Sequence, residues 1–209
     1  MKHIVMGAVI AAGLVVATSL SSTASAQTIV DEWAHVKAPP PPELKPVTID
    51  PKTTALLMLD FMNQNCGRRP RCLASVPAVK DFLAQARVKG MMVVYATGRG
   101  AKVADIVEAV APLGSEPLVA GPVDKFLNTD LDKILKDKGI RTVITIGTAA
   151  YGAVLHTASA AAMRGMKVIY PVDGASADAY GEQYAAWHLA NLPGFPGAVT
   201  LTKFDMVKF

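Results

Sequence analysis

Three stretches of the sequence carry side chains that could do chemistry from one place. Asp60 ends the apolar run TALLMLDF, Lys125 sits in GPVDKF, and GTAAYGA runs from Gly147 to Ala153 into an alanine-rich segment. A carboxylate and an ammonium side by side perturb each other's proton affinity, the setting for general acid–base work. The backbone N–H groups of Gly152 and Ala153, expected at a helix N-terminus beside Tyr151, would offer a site for an anion or a developing oxyanion. Taken singly, a strand-end aspartate is more commonly a cap and a lone lysine a surface charge. A shared location at one sheet edge is what raises both.

A second group of residues has two readings each. Cys66 and Cys72 bracket CGRRPRC, with Gly67 and Pro70 to turn the chain between them. The close C-x-x-C spacing of redox pairs is absent, so a structural disulfide is favoured over redox chemistry. Arg68, Arg69 and Arg71 on that loop form either a solvated rim or a guanidinium collar for a carboxylate. His156 either reaches the crevice or packs beneath it. His188 lies with Tyr184 and Trp187 on a stripe that reads as core or as a subunit contact, a hint of a homodimer. Thr157, four residues after Ala153, shares its helix face, and its hydroxyl is expected to bond back to a helix carbonyl. No histidine has a partner at metal-ligand spacing, so neither a metal nor any other cofactor is expected.

The elements that must position these groups follow from periodicity. Continuous apolar runs predict buried parallel strands at Thr54–Phe61, Met91–Thr97, Pro117–Gly121, Arg141–Thr148, Lys167–Val172 and Ala198–Thr202. Helical spacing falls between them, at Val76–Lys89, Val103–Ala111, Gly152–Arg164 and Ala177–Ala190. A further helix starts at Thr129 as N-cap and closes at Gly139. Regular alternation of this kind specifies an α/β fold with a doubly wound, mostly parallel sheet in three layers. Its active crevice should lie at the carboxyl ends of the strands, where Asp60, Lys125 and the Gly147 turn all fall.

Composition narrows the function further. The 209 residues are 51% hydrophobic, 18% charged and 6% aromatic, with a formal net charge of +4. Such a chain buries a core without help, and it lacks the interleaved basic and aromatic residues of a nucleic-acid platform. The mild positive balance suits a small anionic molecule. Two cysteines exclude a four-thiolate zinc site.

The amino terminus reads as an address. Lys2 and His3 precede an apolar stretch from Ile4 to about Ala17, then Ala24 and Ala26 occupy the small positions of a cleavage signal. A secretory signal over residues 1–26, cleaved after Ala26, implies a periplasmic or secreted protein with no membrane span left after cleavage. In such an oxidising compartment the Cys66–Cys72 pairing is expected. Residues 27–51 carry APPPPELKPVTIDP and are predicted to form an extended proline-rich arm. The domain proper is expected over 52–209.

With the segments ALLMLDFMNQ, DKFLNTDLDKILKDKGIRTVITIGT and AAYGAVLHTASAAAMRGMKVIYPVDGASA, the chain resembles the isochorismatase-like hydrolases, a group that includes nicotinamidase-type and carbamoyl-amide cysteine hydrolases. The resemblance runs from Thr54 to about Ala190. It implies a three-layer α/β fold and a triad of Asp, Lys and Cys, in which Asp60 relays a proton and Lys125 holds the charge balance. The third member is where the chain departs, because Ala153 falls on the position of the family's nucleophilic cysteine. Met62 stands where the family usually has Gln, and the absence of Asp-x-His after Asp60 argues against nicotinamidase activity. The isochorismatase branch also lacks the cysteine and hydrolyses a vinyl ether by protonation from the aspartate. Two readings follow: a hydrolase that needs no covalent thiol, or an inactive member that binds a small ligand or serves in an assembly.

Overall fold

A computed structural model describes residues 28–209; the expected signal segment, 1–26, lies outside the described residues. The chain divides into two units, with the boundary between Ala38 and Pro39. The described part of the first holds a short helix α1 (Ile29–Glu32) and a turn of 3₁₀ helix at Trp33–His35. Helix appears where an extended arm is expected because Asp31 accepts hydrogen bonds from both the N–H and the hydroxyl of Thr28, 2.9 Å each, and so nucleates a turn.

The second unit starts with the extended prolines expected of the arm, which then pairs as a strand. β1 (Val47–Thr48) pairs in parallel with β9 (Val207–Lys208). The N–H of Lys45 donates to the Leu201 carbonyl at 2.8 Å, and that of Ile49 to the Lys208 carbonyl at 2.9 Å. Past the proline run, alternate backbone donors are free again, and they find partners on the last strands.

The main sheet has β2 (Thr54–Leu59), β3 (Met92–Thr97), β4 (Leu118–Ala120), β5 (Thr142–Thr148), β6 (Lys167–Pro171), β7 (Ala175–Ser176) and β8 (Val199–Thr202). Its order is β4-β3-β2-β5-β6-β8, every pairing is parallel, and β7 adds to the end of β5. Along β2 successive side chains feed opposite cores. Ala55, Leu57 and Leu59 join one apolar cluster, and Leu56 and Met58 join the other. Helix α3 (Pro70–Val88) packs Val79, Phe82 and Leu83 onto the second cluster. The first is covered by α4 (Leu131–Asp137), α5 (Leu155–Met163) and α6 (Ala179–Ala190), through Leu135, Ala158 and Leu189. This is the three-layer, doubly wound α/β arrangement. The chain winds outward from β2 to β4 and then returns to β5, so strand order reverses between β2 and β5.

Two expected helices differ. Helix α3 begins six residues before the predicted Val76, since Pro70 at its first position needs no N–H donor and the helix accommodates Pro77 inside it. The stretch 103–111 forms two 3₁₀ turns, Val103–Asp105 and Glu108–Val110. Long-range pairing overrides local helix propensity there: Met62 bridges Ile106, and the Val107 N–H donates to the Phe61 carbonyl at 2.9 Å. That pairing lays the segment beside the residues following Asp60.

Candidate active site

Asp60 follows the last residue of β2, and its φ of +55° turns the chain sharply off the strand. A non-glycine residue in this region costs on the order of 1 kcal/mol, least for Asp and Asn. Neighbouring backbone holds the turn. The Asp60 N–H donates to Ala96 O at 2.8 Å, while Asp60 O accepts from the Met62 N–H at 2.7 Å and Asn65 Nδ2 at 3.2 Å.

Lys125 approaches from the loop after β4 and is 1% exposed. Its main chain is gripped by two threonine hydroxyls. Thr129 Oγ1 donates to the Lys125 carbonyl at 2.5 Å, and Thr157 Oγ1 accepts from the Lys125 N–H at 3.2 Å. Thr157 Oγ1 also donates to Val123 O at 3.2 Å, so its hydroxyl works across the fold rather than back along its own helix as expected. Lys125 Nζ donates to Asp60 Oδ1 at 2.9 Å, to Thr97 O at 3.1 Å and to Gly121 O at 3.4 Å. Those three acceptors match the three N–H bonds of an ammonium, so Lys125 has none left to offer a ligand. Asp60 Oδ2 has no protein donor among the described residues.

Burial pushes the Asp60 carboxyl above the ordinary aspartate range; the Lys125 charge and its hydrogen bond pull it back only in part. The result is a carboxyl that keeps its proton more readily than a surface aspartate, beside a fixed positive charge.

These two residues line a cavity of about 740 Å³ at the carboxyl ends of β2, β3 and β4. Its other walls include Asn63, Gln64, Arg99 and Asp105, which the sequence reading did not single out. Arg99 makes no ion pair or hydrogen bond among the described residues. A signal for it existed: GRG directly follows a predicted strand end, the position where ligand-facing loops begin.

The turn after β5 is placed less directly. Gly147 pairs with Leu59 across the sheet, so Thr148 emerges beside Asp60. Ala150–Val154 then form a π turn, with Gly152 at φ −102°, ψ −109°, before α5 starts. Ala153 is 2% exposed and belongs to the apolar cluster under α5. Tyr151 lies over Gly181, where an added Cβ would come within 2.3 Å of its ring. None of Tyr151, Gly152 and Ala153 is among the residues lining the cavity. The Gly152 N–H is already committed to Ala149 O at 2.9 Å, which removes one of the two expected anion donors. His156 Nδ1 lies 2.9 Å from Gly152 O on an exposed face.

Cys66 and Cys72 are joined by a disulfide with their Cα atoms 5.0 Å apart, and both are fully buried. The bracketed residues do not form a simple loop. Cys66 lies in a short helix α2 (Asn63–Gly67), and Cys72 is in the first turn of α3. Arg71 makes a two-pronged ion pair with Glu182 of α6, and Arg69 donates to Asn65 O at 3.3 Å. Arg69 and Arg71 therefore tie elements together, and none of the three arginines lines the cavity. Among the described residues no three His, Cys, Asp or Glu side chains gather as a metal cluster would require.

The isochorismatase-domain model of known protein families matches residues 54–203. The chain belongs to the isochorismatase family. Solved structures repeat the fold. An isochorismatase family protein from Desulfovibrio vulgaris subsp. vulgaris str. Hildenborough is 21% identical with a TM-score of 0.64, over 73% of this chain and 95% of that one. N-carbamoylsarcosine amidase from Thermoplasma acidophilum is 22% identical at a TM-score of 0.64, over 73% and 97%. A cysteine hydrolase from Pseudomonas syringae pv. phaseolicola 1448A is 20% identical at 0.67, over 78% and 94%. At these identities the likeness is one of fold. No curated protein is significantly similar in sequence. Within the isochorismatase family fold, then, the Asp60–Lys125 pair sits where strand ends meet a cavity.

Proposed function

We propose that the chain is an exported hydrolase acting on a small anionic molecule, with Asp60 as general acid and base, Lys125 as its charge partner and no covalent cysteine. The observation that carries this reading is the ion pair at the cavity wall, 2.9 Å long and with one carboxylate oxygen free of protein donors. From that oxygen a protonated Asp60 gives its proton to the substrate, for a vinyl ether to the carbon that then becomes a methyl or methylene group. Water adds to the oxocarbenium ion left behind and loses a proton to the carboxylate, which restores the acid. The resulting hemiketal then breaks its ether C–O bond, its hydroxyl proton passing to the departing oxygen, to release an alcohol and a carbonyl compound. Lys125 keeps the ionised carboxylate tolerable between the two steps. Arg99 supplies a free guanidinium for the anionic end of the substrate.

In this reading Ala153 holds the position of the family's nucleophile and needs no replacement, because no acyl or thioester intermediate forms. The pairing of Cys66 with Cys72 supports it, since the sequence holds no third cysteine. Export rests on residues 1–26; exported material should start at Gln27 on N-terminal sequencing. Homodimer formation rests on α6, where Tyr180, Tyr184 and Trp187 are 77%, 41% and 40% exposed.

The test is a panel of vinyl ethers, esters, amides and carbamates offered to the protein and to Asp60→Asn. Turnover lost by at least about 100-fold in the variant supports acid–base catalysis of the usual strength. No turnover across the panel, with compounds still raising the unfolding temperature of both proteins, identifies a ligand binder instead.

A further inference from the structure

A second cavity, of about 560 Å³, opens at the amino ends of β2, β5 and β6, the sheet edge opposite Asp60. Four cationic side chains line it, two from each of two helix-to-strand junctions. Lys136 is in the last turn of α4, Arg141 precedes β5, Arg164 follows α5 and Lys167 opens β6. We propose that this cavity binds a phosphate group, as free phosphate, pyrophosphate or a phosphate monoester.

Charge is the first argument. Among the described residues the one carboxylate paired with these cations is Asp132, which accepts from Lys136 Nζ at 2.7 Å and lies 3.9 Å from Arg164 Nε. The carboxyl ends of α4 and α5 point the same way and carry about half a negative charge each. Together these offset about half of the four cations. Arg141 and Lys167 have no side-chain partner among the described residues, and they carry the excess. A net charge near two suits a dianion better than a monocarboxylate.

Preorganisation is the second. The Arg164 guanidinium lies 4.5 Å over the Phe126 ring, and its Nη1 donates to Ala160 O at 2.9 Å. One fork is thus held in place before a ligand arrives, with N–H groups to spare. A planar guanidinium matches two phosphate oxygens at once, and a second fork from Arg141 and an ammonium from Lys167 complete a set that only a multi-oxygen anion satisfies. No aromatic side chain lines the cavity for a base to stack on, which favours a compact phosphate over a nucleic acid.

Location is the third. β2 and β5 both run from this cavity to the Asp60 end, and the six residues of β2 span roughly 20 Å. A phosphate bound here does not compete with a molecule at Asp60.

Calorimetric titration of sodium pyrophosphate into the full chain tests the assignment. The wild type is expected to bind below about 1 mM with an affinity that falls as salt rises. Arg141→Gln/Lys167→Gln, both at exposed positions, should weaken it by at least tenfold. Lys80→Gln/Lys208→Gln, which removes the same charge elsewhere, should leave it within twofold. Absence of binding, an equal loss in the charge-matched control, or a loss in Arg99→Gln instead of the double variant would each overturn it.

Discussion

Burial works against an ionised Asp60, and Lys125 offsets only part of that cost. The folded chain therefore holds the Asp60 proton more tightly than the unfolded chain does. The stability this contributes is present below the ordinary aspartate range and is lost as pH rises through the raised value. Urea unfolding across that window should show wild-type stability falling with pH, and Asp60→Asn should lack this component of the slope. Lys125→Met removes the counter-charge of a buried carboxylate, which costs about 3 kcal/mol or more, and equilibrium unfolding would measure it. A loss below about 1 kcal/mol would show the pair to be solvated. Both residues were legible in the sequence because each is a charge placed where an apolar strand has just ended. Arg99 met the same criterion and was passed over. Thr157 was misread for a different reason: its partners, Val123 and Lys125, are over thirty positions away, and only the fold brings them to it.

At the scale of elements, two close approaches hold the site together. Gly147 has φ +148° and sits against β2 so tightly that an added Cβ would come within 2.0 Å of Leu59 O. Gly147→Ala is expected to cost on the order of 3 kcal/mol, or to prevent folding, because the atom it meets is backbone and cannot move aside. The Cys66–Cys72 bond pins the first turn of α3 to the short helix after Asp60. In the chain-entropy account a loop this short contributes about 2 kcal/mol, so Cys66→Ser/Cys72→Ser should lower unfolding free energy by that amount. Thiol labelling of the unfolded, unreduced chain should modify neither cysteine, and labelling of both would contradict the pairing. Strands were readable from their apolar runs to within two residues at most ends. Helices were less so: the 103–111 segment has helical spacing, yet its pairing with Phe61 and Met62 decides its shape.

For the whole sheet, a cavity lies at each end, and the carboxyl-end cavity holds the buried Asp60–Lys125 pair. Alternation of strands and helices was enough to foresee the fold and the sheet edge that Asp60 and Lys125 share. Which loops close over that edge was not foreseeable, since loop paths depend on contacts between distant residues. The cavity is walled by the segments after β2, β3 and β4, whereas the sequence had pointed equally to the turn after β5. The central claim is that Asp60 works as an acid tuned by Lys125. Its most direct test is the pH dependence of kcat/KM on the best panel compound, for wild type and Lys125→Met. The account predicts a rate that falls as pH rises through the Asp60 ionisation, with the falling limb moved to higher pH in the variant, where the lowering effect of the ammonium is gone. A limb at the same pH in both proteins, or a rate that survives in Asp60→Asn, would contradict it.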